Sequence, residues 1–378
     1  MKLAGLRVLD LSSFLPGPYL TLALADHGAE VIKIETPTGD PARSIGERDG
    51  EHTVFFRCVN RGKRSIVLDL KDTDDRAAFL RLADTADVIV ESSRPGVARR
   101  LGIDYETIAE RNPRIVYCSI SAFGQNGPYA GRAAHDLALE ALSGVLSMNL
   151  GSDGRPALPA IPFGDILAGM QGLAGVLMAL LARERTGRGD MVDISMHEAL
   201  LGATQNVLGP ALANGHQPDV ANGRTTGGAA FYYVYDTVDG RQIALAGQEP
   251  KFVRALLDHL GRIDLAELCE RGPGTHQQPV KRFLADVFGS LTLAEAETLL
   301  SGLDVCWGKV NTLPEALEDP HLVATGFVHM DEGGRRHLGT PIRFREESAV
   351  LTHEAPCLDA DADLLLACDD NRKFEQED

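Results

Sequence analysis

The sequence predicts an α/β protein with a Rossmann-like large domain and a second, smaller α/β domain. Three observations carry this expectation. Runs rich in β-branched residues alternate with helical stretches through the first third of the chain. Composition then shifts across a Gly- and Asn-rich loop from Asn214 to Gly228. Beyond it, FYYVYDTVDGRQIALAG has the form of two strands joined at Asp239-Gly240, a strong hairpin signal. With 378 residues the chain is long enough for two domains.

Taken in order, LRVLDLS (Leu6 to Ser12), EVIKIE (Glu30 to Glu35), RSIVLDL (Arg64 to Leu70), DVIVES (Asp87 to Ser92) and RIVYCSIS (Arg114 to Ser121) read as buried strands. Helical stretches such as Tyr19 to His27 and Asp74 to Ala83 separate them, so successive strands are expected to be parallel. Ligands bind such sheets beyond the carboxyl ends of the strands. Two basic clusters fall on loops of this layer, NRGKR with Arg61, Lys63 and Arg64, and RPGVARR with Arg94, Arg99 and Arg100. IPFGDILAGMQGLAGVL follows, with Met170, Leu173, Leu177 and Leu181 at helical spacing and Gly169, Gly172, Gly175 and Ala179 between them. This predicts a helix buried nearly all round, its glycines marking close approach of another backbone or a ligand. Arg183 and Arg185 suit its last turn and Gly187 its left-handed cap.

GDMVDISMHEALLGA reads as a strand running into a helix. Thr292 with Glu295 and Thr312 with Glu315 match capping boxes. RRHLGTPIRF has the look of strands returning to the first domain. The expected organisation is a large domain over 1–205, linker and small domain over 206–325, a return segment over 326–368 and a disordered tail over 369–378.

A formal net charge of −17 opposes binding of nucleic acid, which depends on clustered Lys and Arg. No apolar run reaches membrane-spanning length, because Asp165 and Gln171 interrupt the longest and Arg183 bounds it. MKLAGLRVLDL lacks a signal-peptide layout. The six cysteines are scattered without a CxxC pair, which argues against zinc and against a disulfide framework. No metal and a cytoplasmic location are expected.

A dinucleotide oxidoreductase is one reading, since Glu35 stands where a ribose-binding acid would. The glycine fingerprint is missing: the first turn is SSFLPGPY. No nucleophile elbow or P-loop occurs, and MHEAL lacks the second His of a zinc-protease helix. Acids and an imidazole at helix starts remain: His135-Asp136, Asp165 and Glu249. Asp165 suits a helix cap and a reactive carboxylate equally, and position alone leaves both open. His135-Asp136 can be a capping pair, and Glu249 a first-turn acid complementing the dipole.

Four stretches, LDLSSFLPGPYLTLALADHGAEVIKIETPTGD, NRGKRSIVLDLK, NPRIVYCSISAFGQNGPY and RTGRGDMVDISM, together resemble the family III CoA-transferases, a superfamily that includes formyl-CoA transferase, carnitine CoA-transferase and 2-methylacyl-CoA racemase. The resemblance runs from Leu3 to about Glu346. It implies an interlocked homodimer with CoA bound on the large domain, acyl-CoA and a carboxylic acid as substrates, and no tightly bound cofactor. In transferases of the family, the aspartate matching Asp165 in FGDILAG attacks the thioester and forms a mixed anhydride. An Asp with an ordinary pKa of about 3.9 is expected to be ionised, hence nucleophilic once water is excluded. The N–H groups of Gly227 and Gly228 in RTTGGAAF are expected to stabilise the oxyanion.

Arg94 and Arg100 match the region that holds CoA phosphates, Pro16, Gly17 and Leu70 the region that packs its nucleotide, and Arg61 and Lys63 are secondary candidates. In the racemase branch the histidine matching His135, followed by Asp136, works against the aspartate matching Asp165 to move an α-proton. Glu249 matches a glutamate found in both branches, placed to orient the histidine. FLPGPYLT and GDPAR look closer to transferase members, and ILAGM after Asp165 lacks the denser glycine run of racemases. His135 pulls the other way, because imidazole serves as acid or base near neutrality. The expected function is CoA transfer. Racemisation by His135 and Asp165 is the alternative, and a CoA-binding scaffold without turnover is a second.

Overall fold

Parallel strands covered by helices on both sides must be apolar on both faces, and the first runs of the chain meet that condition. The computed structural model describes residues 1–349 and 351–365. Within them the runs form β1 (Arg7–Asp10), β2 (Glu30–Glu35), β3 (Arg64–Val67), β4 (Val88–Glu91), β5 (Val116–Ser121) and β6 (Met191–Ser195). Every pairing in this sheet is parallel, in spatial order β3-β2-β1-β4-β5-β6. Val8 lies opposite Val31 on one side and Val88 on the other. In this strand order the chain reverses direction between β1 and β4, leaving a crevice beyond their carboxyl ends.

The helices α1 (Pro16–Asp26), α2 (Thr73–Asp84), α3 (Asp136–Leu142), α4 (Phe163–Thr186) and α5 (Met196–Gly202) accompany the sheet. Alternate strand residues feed two cores. Val8, Val88, Val90, Cys118 and Ile120 pack with Leu20 and Leu24 of α1 and Val176 of α4. Leu9, Ile32, Ile66 and Ile89 pack with Phe79 and Leu82 of α2. Each such side chain taken fully from water contributes about 1.5–3 kcal/mol.

Helix α4 departs from expectation. Gly164, Ala168, Gly169, Gly172, Val176 and Leu180 are buried, but Met170, Met178 and Leu181 are 54%, 68% and 73% exposed. It is therefore buried on one face, not nearly all round. A Cβ at Gly169 would stand 2.6 Å from the Pro16 carbonyl oxygen, so the glycine lets α4 lie against the backbone of α1. With a mean hydropathy of 1.7, α4 is also long and apolar enough to cross a membrane, contrary to the expectation that no such run exists. Its last turns are pinned by Arg183, which is buried and donates to Asp87 Oδ1 at 2.9 Å and the Arg114 carbonyl at 3.1 Å. Gly187 ends it at φ 70°.

The chain divides into two compact units. The first comprises Met1–Ser147, Leu158–Thr204 and the chain from Pro320 onward; the second comprises Met148–Ala157 and Gln205–Asp319. In the second, β7 (Tyr233–Asp236), β8 (Gln242–Leu245) and β9 (Trp307–Lys309) form an antiparallel sheet in the order β9-β8-β7. The loop at Asp239-Gly240 is closed by Thr237 N–H on the Arg241 carbonyl at 2.8 Å, with Gly240 at φ 74°. The helices α6 (Pro250–His259), α7 (Gln278–Gly289) and α8 (Leu293–Ser301) bury Val253, Leu256, Leu284 and Phe288 against Tyr235, Ile243 and Leu245. Both capping boxes form. In the return segment β10 (Val328–Met330) pairs with β11 (Arg336–Leu338) as a separate antiparallel ladder. The tail expected over 369–378 lies outside the described residues.

Candidate active site

The loop after β1 has to turn sharply into α1, whose opening Pro16-Gly17-Pro18 suits a helix N-terminus. Asp10 holds it: its carboxylate accepts from Ser12 N–H at 3.0 Å, the Thr21 hydroxyl at 2.7 Å and Lys63 Nζ at 3.0 Å. Lys33 donates to the Ser12 carbonyl at 2.9 Å and pairs with Asp40 at 2.9 Å. Burial opposes the charge on Asp10, yet Lys63 and Lys33 beside it hold its carboxyl well below the usual range. Arg61 is equally engaged, donating Nη2 to Asp26 Oδ2 at 2.8 Å, with both side chains buried. Arg61 and Lys63 thus serve as interior counter-ions, which sets them apart from the exposed Arg94. The loop they fix presents Phe14 at φ 62°, an uncommon conformation for an aromatic residue. Its ring meets His135 edge-on, centroids 6.4 Å apart.

Beyond the strand ends, at the crevice between β1 and β4, lies a cavity of about 510 Å³. Its walls are Ser13 to Pro16 after β1, Ser92 to Pro95 after β4, Ser121 and Ala122 at the end of β5, Arg132 to His135 before α3, and Pro162 with Asp165 at the start of α4. Pro16, Arg94, His135 and Asp165 are therefore brought together by four separate elements.

The geometry separates the two readings of Asp165. Pro162 is the N-cap of α4, and no side chain of its own caps that end. The job is done from α3. Gly164 N–H donates to Asp136 Oδ1 at 2.7 Å, and Phe163 N–H is directed at Glu140. A Cβ at Gly164 would meet Asp136 Oδ1 at 2.8 Å and Leu200 at 3.0 Å, so this approach requires glycine. Asp165 is left half-buried at the cavity, and burial, reinforced by the charge of Asp136, pushes its carboxyl up to about 7. The expectation of an ordinary, fully ionised aspartate is corrected: near neutrality the group is poised between acid and carboxylate, and the carboxylate is the more basic for it.

The remaining sequence-level residues fall elsewhere. Gly17 is buried in α1, where a Cβ would collide with the Ser12 side chain at 2.1 Å. Leu70 packs on the second core, and Arg100 is exposed on the short helix Val97–Leu101, outside the cavity wall. Glu249, Gly227 and Gly228 belong to the second unit. Glu249 is the N-cap residue of α6, makes no side-chain cap bond, and lines a cavity of about 420 Å³ with Arg224, Gln248 and Glu270. Gly228 N–H already donates to the Gly223 carbonyl at 2.9 Å, which removes it as an oxyanion donor in this conformation. Glu35 accepts from Arg43 at 2.6 and 2.8 Å, from Ser65 Oγ at 2.7 Å and from Asp40 N–H at 2.9 Å, leaving no ribose-binding acid. Glu51, His52 and Cys357 bring ligand-type atoms within 4.8 Å of one another, though Cys357 and Glu51 are exposed and Arg43 stands beside them.

Sequence reasoning missed Phe14, Ser121, Arg132 and Glu140. Arg132 sits three residues before His135 in a non-helical segment, where spacing sets no common face. Glu140 follows Asp136 by one turn of α3, but its other partner, Phe163 N–H, lies 23 residues further along the chain.

The pattern of CoA-transferase family III matches residues 3–362. The chain belongs to CoA-transferase family III. Acetyl-CoA:oxalate CoA-transferase of Acetobacter aceti is 41% identical to this transferase-family chain over 264 residues, covering 69% of it and 67% of the relative. Alpha-methylacyl-CoA racemase of Homo sapiens is 33% identical, covering 88% and 84%. A CAIB/BAIF family protein from Brucella suis has the same fold, with a TM-score of 0.83 at 29% identity over 97% of this chain and 98% of that one. As a member of CoA-transferase family III the chain is an enzyme, which sets aside the scaffold without turnover.

Proposed function

We propose that this enzyme moves CoA between an acyl-CoA thioester and a carboxylic acid through an aspartyl anhydride on Asp165. One observation carries the reading: Asp165 faces the crevice cavity uncapped, because Asp136 and Glu140 hold the helix N–H groups that would otherwise quiet it. A carboxylate oxygen of Asp165 attacks the thioester carbon, the C–S bond breaks and CoA leaves as thiolate. The thiolate then attacks the Asp165 carbonyl of the anhydride, expelling the donor's carboxylate and leaving an aspartyl-CoA thioester. The acceptor carboxylate reverses the two steps and departs as the new thioester, so charge and atoms balance. Arg94 at the cavity wall suits a CoA phosphate, and Pro16 its pantetheine or nucleotide portion.

His135 in the same cavity supports a second reading, racemisation of a 2-methylacyl-CoA with His135 and Asp165 as opposed acid and base. Incubation with a 2-methylacyl-CoA in deuterated buffer, with and without a panel of carboxylic acids, distinguishes the two. A new CoA ester formed only with an acceptor supports transfer; α-deuteration without one supports racemisation and overturns it. A homodimer belongs to the same reading, with the exposed apolar face of α4 (Met178, Leu181) as the surface that a second copy covers. So does a cytoplasmic location.

A further inference from the structure

Glu140 is a buried acid that takes no part in the bond changes above. It stands one turn after Asp136 on the same face of α3 and is 1% exposed. Its Oε1 is buried with no hydrogen-bond partner. A carboxylate with a bare buried oxygen is a poor state for the charge, whereas the neutral acid loses little there. Asp136 beside it adds like-charge repulsion, and both effects raise the Glu140 carboxyl above its ordinary value. The first free N–H groups of α4 favour one negative charge, not three.

We propose that Glu140 is a positioning residue for Asp165: held as the un-ionised acid against Asp136, it keeps Asp136 fixed on the opening N–H groups of α4 and so keeps the Asp165 carboxylate off them. The inference rests on the reading of Asp165 as the reacting group. Titratable groups on the elements around Glu140 are Asp136 on α3, Asp165 in the first turn of α4, and His197 and Glu198 on α5; Arg183, Glu184 and Arg185 stand at the far end of α4. Without the acid, Asp136 loses its partner, the α4 N–H groups are freed, and Asp165 drops onto them as an ordinary cap.

The test compares Glu140→Gln, Glu140→Leu and Asp165→Asn in the full chain, by CoA transfer between about pH 5 and 9 and by infrared difference spectra of protonated carboxyl groups at neutral pH. Glu140→Gln, neutral and able to donate, is expected to keep kcat and its pH profile within about twofold. Glu140→Leu is expected to lower kcat about tenfold at unchanged KM for acyl-CoA, with the acid limb of the profile moved to lower pH. The difference spectrum of wild type against Glu140→Gln is expected to lose one protonated-acid band. A Glu140→Leu profile that superimposes on wild type, a Glu140→Gln variant as impaired as Glu140→Leu, or no lost band overturns the proposal. If Glu140→Leu does not fold, a shifted acid limb in Glu140→Gln does so alone. Full activity in Asp165→Asn sinks the underlying reading instead, and the infrared band still reports separately on the Glu140 proton.

Discussion

Asp165→Asn is expected to stabilise the protein while abolishing turnover. The wild-type carboxyl goes from an ordinary 3.8 to about 7 on folding. At about 1.36 kcal/mol per pH unit this is a penalty of about 4 kcal/mol, and solvent at the half-buried side chain reduces it to about 2 kcal/mol. The sign follows from which state holds the proton. Below about pH 4 both the folded and unfolded chains are protonated and no penalty exists; between about pH 4 and 7 the unfolded chain ionises first, so wild-type stability falls as pH rises; above about pH 7 the loss is complete. Urea unfolding at about pH 4 and 8 is the assay. The variant is expected to gain about 2 kcal/mol at the higher pH and nothing at the lower. A variant less stable than wild type at about pH 8 would mean that Asp165 caps its own helix, and the argument for its reactivity would fail.

Three further expectations follow from the same geometry. Gly169→Ala pushes a methyl to 2.6 Å from the Pro16 carbonyl and should lower stability by about 1–3 kcal/mol in urea unfolding, whereas an unchanged midpoint would mean α1 and α4 are not in backbone contact. Arg94→Ala should raise KM for acyl-CoA about tenfold with kcat little changed, and an effect on kcat alone would remove Arg94 from CoA binding. On the proposed homodimer, Met178→Glu with Leu181→Glu places charge on the exposed face of α4 and should yield monomers by light scattering; an unaffected dimer mass would refute that face as the contact.

The parallel sheet was legible because its strands are buried on both faces and therefore read as unbroken aliphatic runs such as Val88 to Val90. The hairpin and both capping boxes were legible because their determinants are local. Residues acting across the fold were not. Apolar spacing along α4 could not say which face meets α1 and which stays open, since Met178 and Val176 look alike in sequence. Position left both readings of Asp165 open because Asp136 and Glu140, which reach the opening N–H groups of α4, lie 28 and 23 residues upstream of them. The NRGKR cluster looked like an anion site, but Arg61 and Lys63 face Asp26 and Asp10 inside the protein, while Arg64 pairs with Glu30 at the surface.

That inward placement gives the enzyme a built-in reporter of its own integrity. Lys33 and Lys63 are wholly enclosed, so an amine-acylating reagent that tags Lys2 or Lys71 at once should leave them blank in a peptide map of intact protein. Their appearance as labelled peptides during storage or heating would register opening of the loop between β1 and α1.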